Sequence, residues 1–291
     1  GALTATLGGS SSITGVIANG GGGTASLVKA GSGTLTLSAS NTYTGTTQVS
    51  AGTLTVSGSG RLSDDTAVTV DNGATYNVAV SDKVASIAGA GSITLGSNTL
   101  TSGGSNANTT FSGVIGGSAP VKSLTITSDQ LTAGVMTLNG ALTATVANAS
   151  SITGVIADGG GGTASLVKAG NGTLTLSASN TYTGTTTINA GDLTVSGSLH
   201  DDTAVTIASG ADYNVNASDT VASIEGAGNI VIASSQVLTA GDGNNKTLSG
   251  VMSGAGSYVK AGAGTQTLSG ANTYTGTTTI NAGDLTVSGS L

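Results

Sequence analysis

Few side chains in this chain of 291 residues could carry out catalysis. His200 is the single histidine and precedes Asp201 and Asp202, so any Ser-His-Asp triad would have to form around it. The chain repeats itself, however, and the equivalent position in the other copy is Ser63. No Gly-x-Ser-x-Gly motif in a strand-to-helix context supplies a nucleophile. We therefore expect no catalytic histidine and no enzyme activity.

Paired carboxylates recur at Asp64-Asp65 and Asp201-Asp202, where glycosidase acids or calcium ligands could be sought. Neighbouring residues on a strand point to opposite faces, so one pair does not easily converge on a ligand. The loop Asp242–Asn245 resembles a calcium turn but lacks the Gly-Gly-x-Gly-x-Asp repetition. We interpret these carboxylates as solvated turn residues, and we expect no metal ion and no cofactor. A carbohydrate-cleaving β-helix stays an alternative, although Arg61 is the single arginine available to it.

The composition narrows the classes of partner. The net charge is −7, and the seven Lys and Arg residues form no cluster that could neutralise several phosphates, so nucleic acid is not expected as a partner. Polar residues interrupt every apolar run, so no membrane insertion by this segment is expected. The absence of cysteine removes disulfides and thiol chemistry, and it favours a protein exported through an oxidising compartment.

Internal repeats determine the organisation. Gly1–Thr6 recurs as Gly140–Thr145, and the match continues through a Gly-Thr-Leu-Thr-Leu-Ser-Ala-Ser-Asn-Thr-Tyr-Thr-Gly segment in both copies. A shorter third copy runs from Tyr258 to Leu291. We predict one continuous solenoid over residues 1–291, cut from a longer array, with repeat units of about 1–139 and 140–245 and a partial unit 246–291.

Within each unit, apolar and polar residues alternate in short cores separated by Gly-rich and Asn-Gly turns. The core at Thr34–Ser38 returns 19 residues later at Thr53–Ser57. This pattern predicts short β-strands with one buried face. Equivalent places on successive turns are predicted for four residues: Leu35, Leu54, Val68 and Ile93. Such stacking favours an all-β, parallel β-solenoid over a sandwich or a propeller.

Three segments then carry a family resemblance. The words Leu27–Ser38, Asn41–Thr47 and Ala51–Val56, with their copies at Leu166–Val195 and Tyr258–Val287, resemble the autotransporter-associated β-strand repeat of type V secreted passenger domains. The resemblance implies a right-handed parallel β-helix that is exported through the outer membrane and displayed on the bacterial cell surface. It implies a structural or adhesive stalk, whose partners would be the chain itself or host glycans and matrix proteins.

Two sets of side chains are candidates for surface contacts. Outward-facing threonines are predicted to form a column, and a tyrosine recurs in each Asn-Thr-Tyr-Thr-Gly word, where it could stack on sugars or cover a corner of the solenoid. The candidates are Thr36, Thr55, Thr69, Thr94, Tyr43, Tyr182 and Tyr274. Packing is the favoured interpretation of the tyrosines. The threonines also suggest ice binding, which is kept as a second alternative.

Overall fold

The fold is a parallel β-solenoid of about 13 turns, with no helix in the ranges described. The computed structural model describes residues 1–96, 98–103, 109–116, 123–128, 131–138, 140–159 and 162–291. The all-β parallel architecture expected from the repeats is confirmed, and its right-handedness stays a prediction. By internal contacts the chain divides into two compact units. Unit 1 comprises Gly1–Leu142 with Asp158–Gly162, and unit 2 comprises Thr143–Ala157 with Thr163–Leu291.

Unit 1 is built from three stacks of parallel strands. Sheet I contains β1 (Ala2–Thr6), β3 (Ser26–Ala30), β5 (Thr47–Val49), β7 (Ala67–Val70), β10 (Ser86–Gly89), β13 (Thr109–Phe111) and β16 (Leu131–Ala133). Sheet II contains β2 (Ser11–Ile13), β4 (Thr34–Leu37), β6 (Thr53–Val56), β8 (Thr75–Val78), β11 (Ser92–Thr94), β14 (Val114–Gly116) and β17 (Met136–Leu138). Sheet III contains β9 (Asp82–Val84), β12 (Thr99–Ser102) and β15 (Ser123–Ser128).

Strands β18 (Ala141–Val146) and β20 (Ile156–Asp158) cross the division, and unit 2 again forms three stacks. Sheet IV contains β19 (Ser150–Ile152), β22 (Thr173–Leu176), β24 (Gly191–Val195), β26 (Ala211–Val215), β29 (Asn229–Ile232) and β32 (Met252–Gly254). Sheet V contains β21 (Ser165–Ala169), β23 (Thr186–Ile188), β25 (Ala204–Ile207), β28 (Ser223–Gly226), β31 (Lys246–Leu248), β34 (Thr265–Leu268) and β36 (Asp284–Val287). Sheet VI contains β27 (Asp219–Val221), β30 (Val237–Ala240), β33 (Ser257–Lys260) and β35 (Thr278–Ile280).

The core is a set of rows in which one inward side chain stacks on the next. In sheet II the register joins six residues that are at most 2% exposed: Leu35, Leu54, Tyr76, Ile93, Ile115 and Met136. The prediction that Val68 belongs to this row is wrong, because Val68 lies in sheet I opposite Thr47 and Ile87. The turn after β6 contains a polar loop, so the next strand of sheet II begins 22 residues later, at Thr75.

Equivalent strands of the two repeats in unit 2 do not lie in the same sheet. Lys168 lies in β21 of sheet V, whereas its counterpart Lys260 lies in β33 of sheet VI. Likewise β22 belongs to sheet IV and its counterpart β34 to sheet V. The spacing between these repeats is therefore not a whole number of turns, and identical sequence words occupy different faces.

Candidate functional site

A buried lysine closes each repeat. Lys29, Lys168 and Lys260 are at most 1% exposed, because each has the same strand parity as the inward Leu or Tyr two residues before it. Lys168 Nζ donates to the carbonyls of Ala169, Gly170 and Ala190 at 3.1, 2.8 and 2.9 Å. The ammonium thus joins its own turn to the next one, where Ala190 lies.

The other two lysines make the same contacts. Lys29 Nζ donates to Ala30, Gly31 and Ala51, and Lys260 Nζ donates to Ala261, Gly262 and Ala282. Burial lowers the pKa of Lys29, and it lowers the pKa of Lys168 to about 8 although the Asp192 carboxylate opposes the shift. These lysines are structural clamps, because all three ammonium hydrogens have acceptors inside the solenoid.

A buried asparagine joins three turns. Asn180 Oδ1 accepts from Ile156 N at 3.0 Å, and Asn180 Nδ2 donates to the carbonyls of Ala178 and Ser198 at 3.0 and 2.9 Å. Asn41 and Asn272 make the matching sets of bonds in their own repeats. The side-chain amide therefore replaces strand pairing on the face where the Asn-Thr-Tyr-Thr-Gly loop runs.

The recurring tyrosines are buried. Tyr43 and Tyr182 are 0% exposed and Tyr274 is 8% exposed, so their rings are not available for stacking on a sugar. The hydroxyls of Tyr182 and Thr186 share a hydrogen bond of 2.5 Å, and Tyr43 and Tyr274 bond their own threonines in the same way. The packing interpretation of the tyrosines fits this geometry, whereas the surface contacts proposed for them do not.

The outward threonine column differs from the expected one. In sheet II, Thr36 lies opposite Thr55, Thr55 opposite Asn77, and Asn77 opposite Thr94. Thr69 does not belong to it, because β7 lies in sheet I. Asn77 Nδ2 donates to Thr55 Oγ1 at 3.3 Å, and Thr94 Oγ1 donates to Asn77 Oδ1 at 2.8 Å. Only the β4 and β6 rungs of this column carry Thr at both outward positions, so the geometry adds no support for ice binding.

An open cleft on unit 1 gathers the charged residues that the buried clamps leave outside. It has a volume of about 310 Å³ and is lined by Arg61, Asp64, Ser81, Asp82, Lys83, Thr99 and Thr101. The polar loop before β7 positions Arg61 and Asp64, while the pairing of β9 with β12 places Lys83 opposite Thr101. Lys83 Nζ lies 3.1 Å from Asp64 Oδ2, and Arg61 Nη1 donates to the Gly60 carbonyl at 3.0 Å.

The floor of the cleft holds a buried carboxyl group. Asp82 Oδ2 accepts from the Tyr76 hydroxyl and from Leu62 N, and burial raises the pKa of Asp82. The same arrangement recurs in unit 2, where Asp219 accepts from the Tyr213 hydroxyl at 2.7 Å and from Leu199 N at 3.0 Å. Burial raises the pKa of Asp219 to about 6, outweighing these hydrogen bonds. Both carboxyl groups anchor the following loop and are not positioned as exposed acids.

The remaining candidates are surface features. Asp64, Asp65, Asp201 and Asp202 are exposed, and His200 Nδ1 lies 3.7 Å from Asp202 Oδ2. Asp242 accepts from the backbone and side chain of Asn244, which closes its own turn. Among the described residues, no three His, Cys, Asp or Glu side chains come together as metal ligands would. Nothing in the described ranges forms an apolar helix of membrane-spanning length.

Comparison with known proteins identifies the repeats. Residues 27–56, 166–195 and 259–287 match the family model of the passenger-associated-transport-repeat, which forms β-solenoids in autotransporter passengers. These are the segments that contain the lysine, asparagine and tyrosine contacts. No catalytic family is among the matches. Neither the curated proteins nor the solved structures compared with the chain include a match.

Proposed function

We propose that this chain, an autotransporter passenger region with three passenger-associated transport repeats, is a cell-surface stalk that mediates adhesion or self-association. The repeats imply export as a secreted passenger through the outer membrane. The partners in this proposal are other copies of the chain, or host glycans and matrix proteins.

One observation supports the proposal above the others. The polar residues that recur in every repeat, namely the lysine, the asparagine and the tyrosine, point inward and bond the backbone or a buried threonine. Repetition therefore builds scaffold, and it adds no catalytic group with each copy. What each copy adds to the surface is a set of half-exposed Thr, Ser, Asn and Asp side chains, which suit many weak contacts whose avidity grows with their number.

Two measurements test the proposal. Sedimentation velocity of residues 1–291 over a wide concentration range separates growth into oligomers, expected for self-association, from a stable monomer, expected for an adhesin of other surfaces. The chain displayed on a non-adherent bacterium is then assayed for cell aggregation and for retention on immobilised glycans and matrix proteins. A gain in either property supports the proposal. A monomeric chain that confers neither property would make the region a passive spacer and contradict it.

A further inference from the structure

We propose that the cleft of unit 1, centred on Arg61 and Lys83, binds a saccharide that carries a carboxylate. This inference rests on the proposed adhesive function and names a site and a ligand class for it. The cleft volume of about 310 Å³ lies at the low end of small-ligand sites, which are roughly 300 to 1,000 Å³, and it suits one or two sugar rings.

The chain contains its own comparison for this cleft. The loop and strands recur in unit 2 with the same backbone contacts, since Ser81 Oγ accepts from Thr99 N and Ser218 Oγ accepts from Val237 N, both at 3.0 Å. The second copy lacks the cationic groups. Thr220 stands where unit 1 has Lys83, and no residue corresponds to Arg61 because two residues are missing between Ser198 and Leu199.

The side chains of the copies differ where they face outward. Lys83 pairs with Thr101 in unit 1, whereas Thr220 pairs with Thr239 in unit 2, and Thr99 is replaced by Val237. The anchoring carboxyl groups Asp82 and Asp219 are kept in both copies. Residues that hold the fold are therefore the same, while the charged and hydroxyl groups that line the cleft are present only in unit 1.

The donor and acceptor set indicates the ligand class. A guanidinium presents a planar fork that binds a carboxylate through two hydrogen bonds, and only Nη1 of Arg61 has a bond in the structure, to the Gly60 carbonyl. The Lys83 ammonium adds a second positive charge. Asp64 and the hydroxyls of Ser81 and Thr101 also line the cleft. Because an inorganic anion offers no donor to Asp64, the mixed set fits a ligand with both a carboxylate and hydroxyls.

The resident ion pair is easily replaced. The Lys83 and Asp64 side chains are 53% and 59% exposed, and exposed pairs of this kind stabilise proteins by only about 0 to 1 kcal/mol. A ligand carboxylate can therefore take the place of Asp64 beside Lys83, which frees Asp64 to accept from a sugar hydroxyl. Such binding would weaken as the salt concentration rises.

Titration calorimetry of the full chain with digalacturonic acid and with 3′-sialyllactose tests the site. Galactobiose and lactose are the comparators without a carboxylate, and sodium sulfate is the comparator without hydroxyls. The test variants are Arg61→Ala and the double variant Lys83→Thr with Thr99→Val, which adopts the residues of the second copy and should fold as that copy does. Lys246→Thr is the matched control, because it removes one lysine from an ion pair with Glu225 in unit 2.

We expect at least one acidic sugar to bind, with affinity at least tenfold weaker in both test variants and unchanged in the control. We expect the neutral sugars and sulfate to bind at least tenfold more weakly than the acidic sugar. The proposal is overturned if neither acidic sugar binds, if the test variants bind like wild type, or if sulfate binds as tightly as the sugar. Displayed chains that still promote adhesion or aggregation in those cases would leave the proposed function standing and reject this site alone.

Discussion

The segment anchored by Asp219 is expected to become less stable as the pH rises from 4 to 7. Its pKa in the folded chain is about 6, against an ordinary value of 3.8, because burial disfavours the carboxylate. Between these two values the folded state holds a proton that the unfolded state has released. Stability is therefore greatest below pH 4 and declines as the pH rises through 6, which is the reverse of ordinary acid denaturation.

The size of the effect follows from the shift. With pKa values of about 6 and 3.8, the linkage relation gives a loss of about 2 kcal/mol between pH 4 and pH 7. Asp219→Asn removes the titration, while the side-chain oxygen can still accept from Leu199 N. The variant should therefore show no such loss, and at pH 7 it should be at least as stable as wild type in this segment.

Hydrogen–deuterium exchange of the peptide that contains the Leu199 amide measures the local opening free energy, which suits a repeat protein that need not unfold in one step. Rates are corrected for the intrinsic pH dependence of exchange. Asp202→Asn is the control, because Asp202 is exposed in the same loop. The reasoning would be refuted if protection rose from pH 4 to pH 7 in wild type, or if the Asn variant kept the wild-type dependence.

Three further substitutions test the packing of unit 2. Lys168→Met should destabilise the chain toward urea by about 2 kcal/mol, because three carbonyls lose their donor; a more stable variant would mean that burying the ammonium costs more than its bonds return. Gly184→Ala places a Cβ 2.1 Å from the Ala164 carbonyl oxygen and should cost about 1 to 3 kcal/mol in urea unfolding, whereas Gly243→Ala, with nothing within 4 Å, should be neutral. Tyr258→Phe should raise the melting temperature, since the buried hydroxyl of Tyr258 has no hydrogen-bond partner in the described part of the chain; a lower melting temperature would contradict this.

Local alternation was sufficient to predict the strands and their stacking. Thr34–Leu37 and Thr53–Val56 pair in register with Leu35 and Leu54 inward, as their alternating pattern indicates. The inward lysines were missed, although Lys29 has the same parity as the buried Leu27 and could have been found by that signal. A charged residue is ordinarily assigned to the outside, and the three carbonyls that receive it come from turns whose geometry the pattern does not contain.

Register across longer turns was not predictable. Thr69 and Val68 were placed in the wrong stack because the loop at residues 57–66 lengthens that turn. The cleft depends on the same information, since Lys83 meets Thr101 only through the pairing of β9 with β12. Arg61, Asp64 and Lys83 are also too far apart in the chain for composition or local motifs to bring them together.

The change of sheet between the two repeats of unit 2 affects how such a protein can evolve by duplication. Inserting another copy of that unit would lengthen the solenoid and rotate everything after it by one face. A receptor that approaches from one side would then meet the same side chains only at every third copy. Gene duplication in this architecture spreads a motif around the circumference, so a site that needs several residues in a line must arise by point mutation within one copy.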